Sequence, residues 1–103
     1  DNISKEQVDY IKKLYKTTID NKEKVDAIII KKLNNWDITR LAAIDKAILR
    51  MSISEMLFID EIPPKVSITE GVEIAKVFST DDSSSFVNGI LDAVYNKIYK
   101  NKK

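Results

Sequence analysis

The chain has 103 residues without cysteine or histidine, and 44% of them are hydrophobic against 32% charged. A length near the usual range of about 100–200 residues per domain, with only 2 Gly and 2 Pro, predicts one compact globular domain and excludes a disordered or fibrous chain. The missing residue types exclude disulfides, thiolate zinc sites, cysteine nucleophiles and serine–histidine catalysis within this sequence. Because no apolar run approaches the roughly 20 residues of a membrane span, we expect a soluble, cytoplasmic protein without a leader.

The net charge of +1 conceals an uneven distribution along the chain. Residues 1–34 carry a net charge of +2, residues 35–92 carry −5 and residues 93–103 carry +4. Two basic ends therefore flank an acidic middle. This asymmetry is typical of a polyanion-binding edge beside a surface for a basic partner, but also of solvated helices whose charges differ by chance.

Capping signals and apolar spacing predict two helices in the first third of the chain. Ser4 and Gln7 have the spacing of a capping box, so we expect a first helix over residues 5–18. Asp20 is expected to begin a second helix, which ends at Asn34 and Asn35. The side chains expected to face the fold from the first helix recur at helical spacing and are Val8, Ile11, Leu14 and Tyr15.

Two more helices are predicted between residues 37 and 78. Asp37 is expected to cap a long third helix of about 21 residues that ends near residue 58 or 59, before Pro63 and Pro64. This helix is apolar on more than one face, so we expect it at the centre of the fold. Ser67 and Glu70 have capping-box spacing and are expected to begin the fourth helix.

A fifth helix is predicted to follow the polar segment at residues 81–83, which would cap it. Asn88 and Gly89 form a turn signal inside this helix, yet the apolar spacing stays in phase across Gly89. We therefore expect one continuous helix, with a neighbouring helix crossing at Gly89. No segment alternates long enough for a convincing strand, so the predicted fold class is all-α, a compact bundle of about five helices.

Several segments between residues 36 and 92 follow one another in a specific order and spacing. They read AILRM at 47–51, SEML at 54–57, IPPKV at 62–66, ITEGVEIAK at 68–76, DS at 82–83 and FVNGILD at 86–92. Together these segments resemble the NusB family of transcription antitermination factors.

The resemblance implies a NusB-like, non-catalytic RNA-binding adaptor in the transcription elongation complex, with no cofactor and no metal. Such a protein binds boxA RNA of nascent ribosomal-RNA leaders together with NusE, a protein of the small ribosomal subunit. The family's arginine-rich N-terminal stretch has no counterpart before Asp1, and Thr69 and Gly71 stand where Asn and Ala are commoner. We therefore expect a single domain over residues 1–103, with 1–35 as the remnant of an N-terminal half and 36–103 as a C-terminal bundle.

The candidate RNA contacts lie at the start of the fifth helix: Asp82, Ser83, Ser84, Ser85 and Phe86. Backbone N–H groups at a helix start are suited to a phosphate oxygen. The spacing of Phe86 favours the core, whereas its position after a polar loop and the resemblance favour an exposed ring that stacks on an unpaired base.

The candidate contact to a protein partner is Asp45, near the start of the long helix. Its spacing places it on the face away from Leu41, Ile44 and Ile48, and the resemblance implies a partner-facing position for it. The alternative is a solvated helix acid.

Other functions remain open at the level of sequence. The first alternative is the RNA-binding adaptor, and the second is a helical module for protein interaction or dimerisation without useful RNA affinity. The third is the NusB-like accessory domain of a ribosomal-RNA methyltransferase, which needs a cofactor-binding domain after residue 103. Glu55, Glu70 and Glu73 are interpreted as caps or as partners of Arg50 and Lys76, not as catalytic acids.

Overall fold

The computed structural model describes residues 3–33 and 37–100, the last of these by its backbone only. Its helices are α1 (Lys5–Asp20), α2 (Lys22–Lys32), α3 (Ala43–Phe58), α4 (Pro64–Phe78) and α5 (Asp81–Tyr95). A 3-10 helix at Ile38–Arg40 precedes α3, and a π-helical turn at Asn96–Lys100 follows α5. Within the described ranges there is no strand, which confirms the predicted all-α class. None of these helices is long and apolar enough to cross a membrane.

α1 begins at the predicted capping box and is tied to α3 by a tyrosine. The Ser4 hydroxyl accepts a hydrogen bond from the Gln7 N–H at 3.1 Å, and the Gln7 side chain accepts one from the Ser4 N–H at 2.9 Å. On the inner face, the Tyr10 hydroxyl donates a hydrogen bond to the buried carboxylate of Glu55. Burial and this hydrogen bond raise the pKa of Tyr10 above its usual value, so the hydroxyl remains a donor near neutral pH.

The predicted packing face of α1 is wrong for three of its four residues. Val8, Ile11 and Tyr15 are exposed, and only Leu14 is half-buried. The residues that face the fold lie on the neighbouring stripe that carries Tyr10. Turning α1 to bury the more apolar stripe would remove the tyrosine from Glu55 and leave a buried carboxylate without its donor, which is costly.

α2 is anchored to α3 by a two-pronged ion pair. The Arg50 Nε and Nη2 atoms donate to the two carboxylate oxygens of Asp26 at 2.8 and 2.9 Å, an arrangement that raises the pKa of Arg50. Arg50 therefore pairs across helices and not with a glutamate of the motifs, whereas Lys76 does pair with Glu73, at 3.5 Å. The predicted helix end at residues 34–35 lies outside the described residues.

Asp37 caps the 3-10 helix and not the long third helix. Its carboxylate accepts a hydrogen bond from the Thr39 N–H at 3.0 Å, and the chain is extended at Leu41 and Ala42 before α3 begins. α3 therefore has 16 residues and starts later than predicted. Apolar spacing missed this break because a single 3-10 turn and an α-helical turn place side chains similarly over so few residues.

α4 begins at Pro64, three residues before the predicted cap. Proline suits the first helical position because its φ is preset and its missing N–H would have had no helical partner. Ser67 is consequently inside the helix, where it is buried and its hydroxyl makes no hydrogen bond within the described residues. The capping-box interpretation of Ser67 and Glu70 is wrong.

α3 lies at the centre of the fold, as predicted. The helices α1, α2, α4 and α5 all pack against it, and α4 and α5 also pack against each other. The buried apolar side chains that form the core are Val25, Ile29, Leu33, Ile48, Leu49, Ile53, Met56, Ile68, Ala75, Val87, Ile90, Leu91 and Val94.

The close helix approach occurs at Gly71 and not at Gly89. A Cβ atom at Gly71 would lie 2.5 Å from the Ser52 Oγ of α3 and 3.2 Å from the Leu91 Cδ1 of α5. α5 is continuous through Gly89, as predicted, but a Cβ atom there would meet nothing within 4 Å. The predicted crossing at Gly89 is therefore wrong.

We expect Gly71→Ala to lower the free energy of unfolding by about 1–3 kcal/mol, because the methyl group overpacks the junction of three helices. Ser52→Ala removes the nearest clashing atom, so the double variant should regain part of this loss. Gly89→Ala serves as the control and should raise the free energy of unfolding by up to about 1 kcal/mol. Urea denaturation of the parent, the three single variants and the double variant measures these differences. Equal effects at the two glycines would contradict this packing.

Candidate nucleic-acid interface

The start of α5 is capped by Thr80. Its hydroxyl oxygen accepts a hydrogen bond from the Ser83 N–H at 3.0 Å, and its carbonyl accepts one from the Ser84 N–H at 3.0 Å. Asp81 and Asp82 occupy the first turn, where the helix dipole favours carboxylates. The predicted cap at residues 81–83 is thus wrong, and the N–H groups of Ser83 and Ser84 are already bonded, so they are not open to a phosphate.

The three serines of α5 have different environments. The Ser83 side chain is half-buried and its hydroxyl donates to a carboxylate of α3. Ser84 is buried, and its hydroxyl donates to the Asp81 carbonyl at 2.9 Å. Ser85 is exposed. Ser83 and Ser85 are therefore accessible to a ligand, whereas the Ser84 side chain serves the helix start.

Asp45 is 6% exposed, although the sequence predicted an outward-facing side chain. Its carboxylate accepts hydrogen bonds from the Ser83 hydroxyl at 3.0 Å and from the Ser79 hydroxyl at 3.5 Å. Ile44, predicted to face inward, is 38% exposed. Asp45 faces inward because the α4–α5 connection and the start of α5 supply the hydroxyl donors that compensate for burying a carboxylate.

Three of the five predicted RNA residues and the predicted partner residue line one cavity, of about 320 Å³, at the start of α5, whereas Ser84 and Ser85 do not line it. Asp82, Ser83 and Phe86 of α5 line it together with Asp45 of α3. The remaining lining residues come from the segment that precedes α3: Arg40, Leu41 and Ala42. The structure thus brings two separately predicted sites together.

Arg40 is the charged residue of this cavity that the sequence did not predict. It ends the 3-10 helix capped by Asp37, and hydrogen bonds from Thr39 lower the pKa of that aspartate below its usual value. Arg40 belongs to no motif and lies far from α5 in sequence. The sequence feature that could have identified Arg40 is its positive charge, because residues 35–92 contain only five lysines and arginines.

Phe86 occupies an intermediate position between core and surface. Its side chain is partly buried against the hydrophobic core, and it also lines the cavity. Part of the ring is therefore accessible from the same side as the Arg40 side chain. The partial burial expected from the spacing and the partial exposure expected from the resemblance are both observed, while the contact to RNA stays a prediction.

The charges in the cavity are mixed. Two carboxylates, Asp45 and Asp82, lie with a single guanidinium, that of Arg40. The described part of the chain contains no cluster of three or more acidic side chains able to hold a metal ion. The arrangement offers one cation for a phosphate, one aromatic ring for a base, and carboxylates that oppose a polyanion.

The NusB family profile matches residues 1–96. This chain belongs to the NusB family. A transcription antitermination protein NusB from Chloroherpeton thalassium is 52% identical over 90 residues, which are 87% of this chain and 43% of that protein. The chain therefore spans less than half the length of this relative.

Solved NusB structures share the fold. T. maritima NusB has 34% sequence identity and a TM-score of 0.86, over 91% of this chain and 66% of that one. A crystal structure of antitermination factors NusB and NusE in complex with dsRNA has a matching chain with 32% identity and a TM-score of 0.84, over 95% of this chain and 71% of that one.

We expect Asp45→Ala to lower the free energy of unfolding by about 1–3 kcal/mol, because it removes the acceptor of a partly buried hydroxyl. Asp82→Ala, the matched exposed acid of the same cavity, should have a smaller effect. Thermal unfolding of Asp45→Ala, Ser83→Ala and the double variant measures the coupling between the two side chains. Strictly additive losses would contradict the hydrogen bond between them.

Proposed function

We propose that this chain is an RNA-binding transcription antitermination factor that binds boxA-type single-stranded RNA of ribosomal-RNA leaders together with NusE, within the transcription elongation complex. The observation that carries the proposal is the cavity in which Arg40, Ser83 and Phe86 meet. A guanidinium binds phosphate oxygens, a half-exposed aromatic ring stacks on an unpaired base, and a hydroxyl supplies a further polar contact. No catalytic step is needed for this adaptor role.

The proposed RNA contacts are Asp82, Ser83, Ser84, Ser85 and Phe86, with Arg40 added from the structure. The Ser84 side chain is buried, so its contribution is indirect: it stabilises the start of α5 through its hydrogen bond to the Asp81 carbonyl. Asp82 is exposed and weakens the attraction for phosphate. The solved relative in complex with NusE and dsRNA supports RNA and a NusE-type protein as the partner classes.

For the protein partner we propose the start of α3. Asp45 is buried, so it acts by fixing the geometry of this corner through Ser83 and Ser79. The direct apolar contact comes from the exposed neighbour Ile44. The net charge of −5 over residues 35–92 favours a basic partner such as a ribosomal protein.

We expect Phe86→Leu to weaken RNA binding by about 1–3 kcal/mol, because leucine fills the core but cannot stack on a base. Fluorescence anisotropy with a labelled boxA RNA oligonucleotide measures the affinity, with single-stranded and double-stranded forms compared. Urea denaturation reports the stability in parallel. Losses of equal size in stability and in affinity would instead assign Phe86 to the core alone.

We expect Arg40→Gln to weaken RNA binding and to reduce the slope of log affinity against log salt concentration by about one, since one phosphate contact is lost. Lys76→Gln is the matched control, because it removes one exposed charge on α4 that does not line the cavity. An unchanged salt slope in Arg40→Gln would contradict a phosphate contact at this residue.

We expect Asp82→Asn to bind RNA more tightly, because it removes a negative charge from the cavity edge. Thr80 caps the helix, so the substitution removes only the attraction between the Asp82 carboxylate and the positive end of the helix dipole. Thermal stability should therefore fall only slightly. Anisotropy at matched salt compares the two proteins. Equal RNA affinities would place the start of α5 outside the RNA interface.

A second candidate function, a helical interaction or homodimerisation module, is supported by α1. Val8, Ile11, Tyr15 and Ile19 recur on one face of this helix and are exposed, Ile11 by 56% and Tyr15 by 68%. An apolar helix face of this kind is typical of an interaction surface. We propose a second copy of the chain as its occupant in the isolated 103-residue protein.

Sedimentation velocity tests this second candidate across micromolar concentrations. We expect a monomer–dimer equilibrium that Ile11→Ser shifts towards monomer, because the substitution removes apolar area from the face. Lys12→Ser, a neighbouring exposed position on the same helix, should leave the equilibrium unchanged. A parent protein that remains monomeric at the highest concentration would refute the homodimer.

A further inference from the structure

Gly89 is an exposed glycine in the middle of α5 that helix packing does not explain. A Cβ atom at this position would meet nothing within 4 Å, in contrast to Gly71, where the neighbouring helices leave no room. Glycine is among the least favourable residues in a helix interior. The described structure therefore contains a locally destabilising residue without a packing contact that requires it.

Gly89 lies next to the proposed base-stacking residue. Positions three or four apart share a helix face, so Asp82, Phe86 and Gly89 follow one another along the same side of α5. Asp82 and Phe86 line the cavity, and Gly89 is one helical turn beyond them, about 4.5 Å along the axis from Phe86. Gly89 does not line the cavity itself, but its open surface lies one turn further along the same side of α5.

The direction of side chains on a helix makes the surface near Phe86 sensitive to the size of the side chain at residue 89. In an α-helix side chains lean towards the N-terminus, so a side chain at residue 89 would extend over the turn that holds Phe86. A Cβ atom at residue 89 would lie more than 4 Å from the Phe86 side chain, so a longer side chain such as that of glutamine is needed to extend towards the ring. Glycine leaves both the ring and the helix backbone uncovered.

We propose that the bare surface of α5 at Gly89 is part of the RNA site and receives the nucleotide next to the base stacked on Phe86. This inference rests on the proposed RNA-binding function. A nucleobase is flat and approaches a helix backbone closely where no Cβ intervenes. Single-stranded RNA places successive bases along such an aromatic platform, so one nucleotide on Phe86 brings its neighbour to Gly89.

The test is a series of increasing side-chain size at Gly89, measured for both RNA affinity and stability. Gly89→Ala and Gly89→Gln should both raise the urea midpoint of unfolding, since alanine and glutamine are better helix formers than glycine. Affinity for a labelled single-stranded boxA oligonucleotide should fall in the same order, by about tenfold for Gly89→Gln, within the range for losing one stacked base. If Gly89 had a purely structural role, these substitutions would lower the stability and the RNA affinity together.

Asn88→Gln is the matched control, because it lengthens an exposed side chain of α5 that lies about 100° around the helix from Gly89. It should leave RNA affinity unchanged. If the parent binds RNA and Phe86→Leu weakens binding while Gly89→Gln does not, this inference is wrong and the proposed function stands. If the parent does not bind RNA at any salt concentration, the proposed function and this inference both fail.

Discussion

α4 approaches α3 and α5 so closely that residue 71 has room only for a hydrogen atom. Gly71 faces the Ser52 hydroxyl on one side and the Leu91 side chain on the other. Because α4 lies this deep, its last residues and the following turn reach the start of α3. The hydroxyls of Ser79 and Ser83 consequently meet the Asp45 carboxylate. The cavity at the start of α5 depends on this approach.

The buried Asp45 carboxylate fixes the geometry of the candidate binding surface. Its two serine donors join the first turn of α3 to the end of α4 and the start of α5. The same carboxylate adds negative charge to a cavity that otherwise suits a polyanion. For the proposed RNA binding, Arg40 and Phe86 must therefore outweigh Asp45 and Asp82, so the affinity would depend on the balance between these groups. A site of this kind is tuned by single charge changes at its edge.

α1 shows how one polar contact can decide which face of a helix is buried. Its apolar stripe is exposed, while the face with Tyr10 lies inward because the Glu55 carboxylate is buried there and needs a donor. The chain matches less than half the length of one curated relative and about two-thirds of T. maritima NusB. The exposed stripe is an apolar surface that the described part of the chain leaves uncovered.

The amino-acid sequence by itself determined the helical class, the central position of the third helix, the capping box of α1 and the family, because periodicity, capping spacing and motifs are local properties. It also predicted RNA contacts at the start of α5. It did not determine the burial of Asp45, the close approach at Gly71 or the presence of Arg40 beside Phe86. These depend on which residues distant in sequence meet, and only the packing of α4 against α3 and α5 brings them together. Residue type could not distinguish Gly71 from Gly89, since a glycine required by a neighbouring helix and a glycine facing open space have the same local signature.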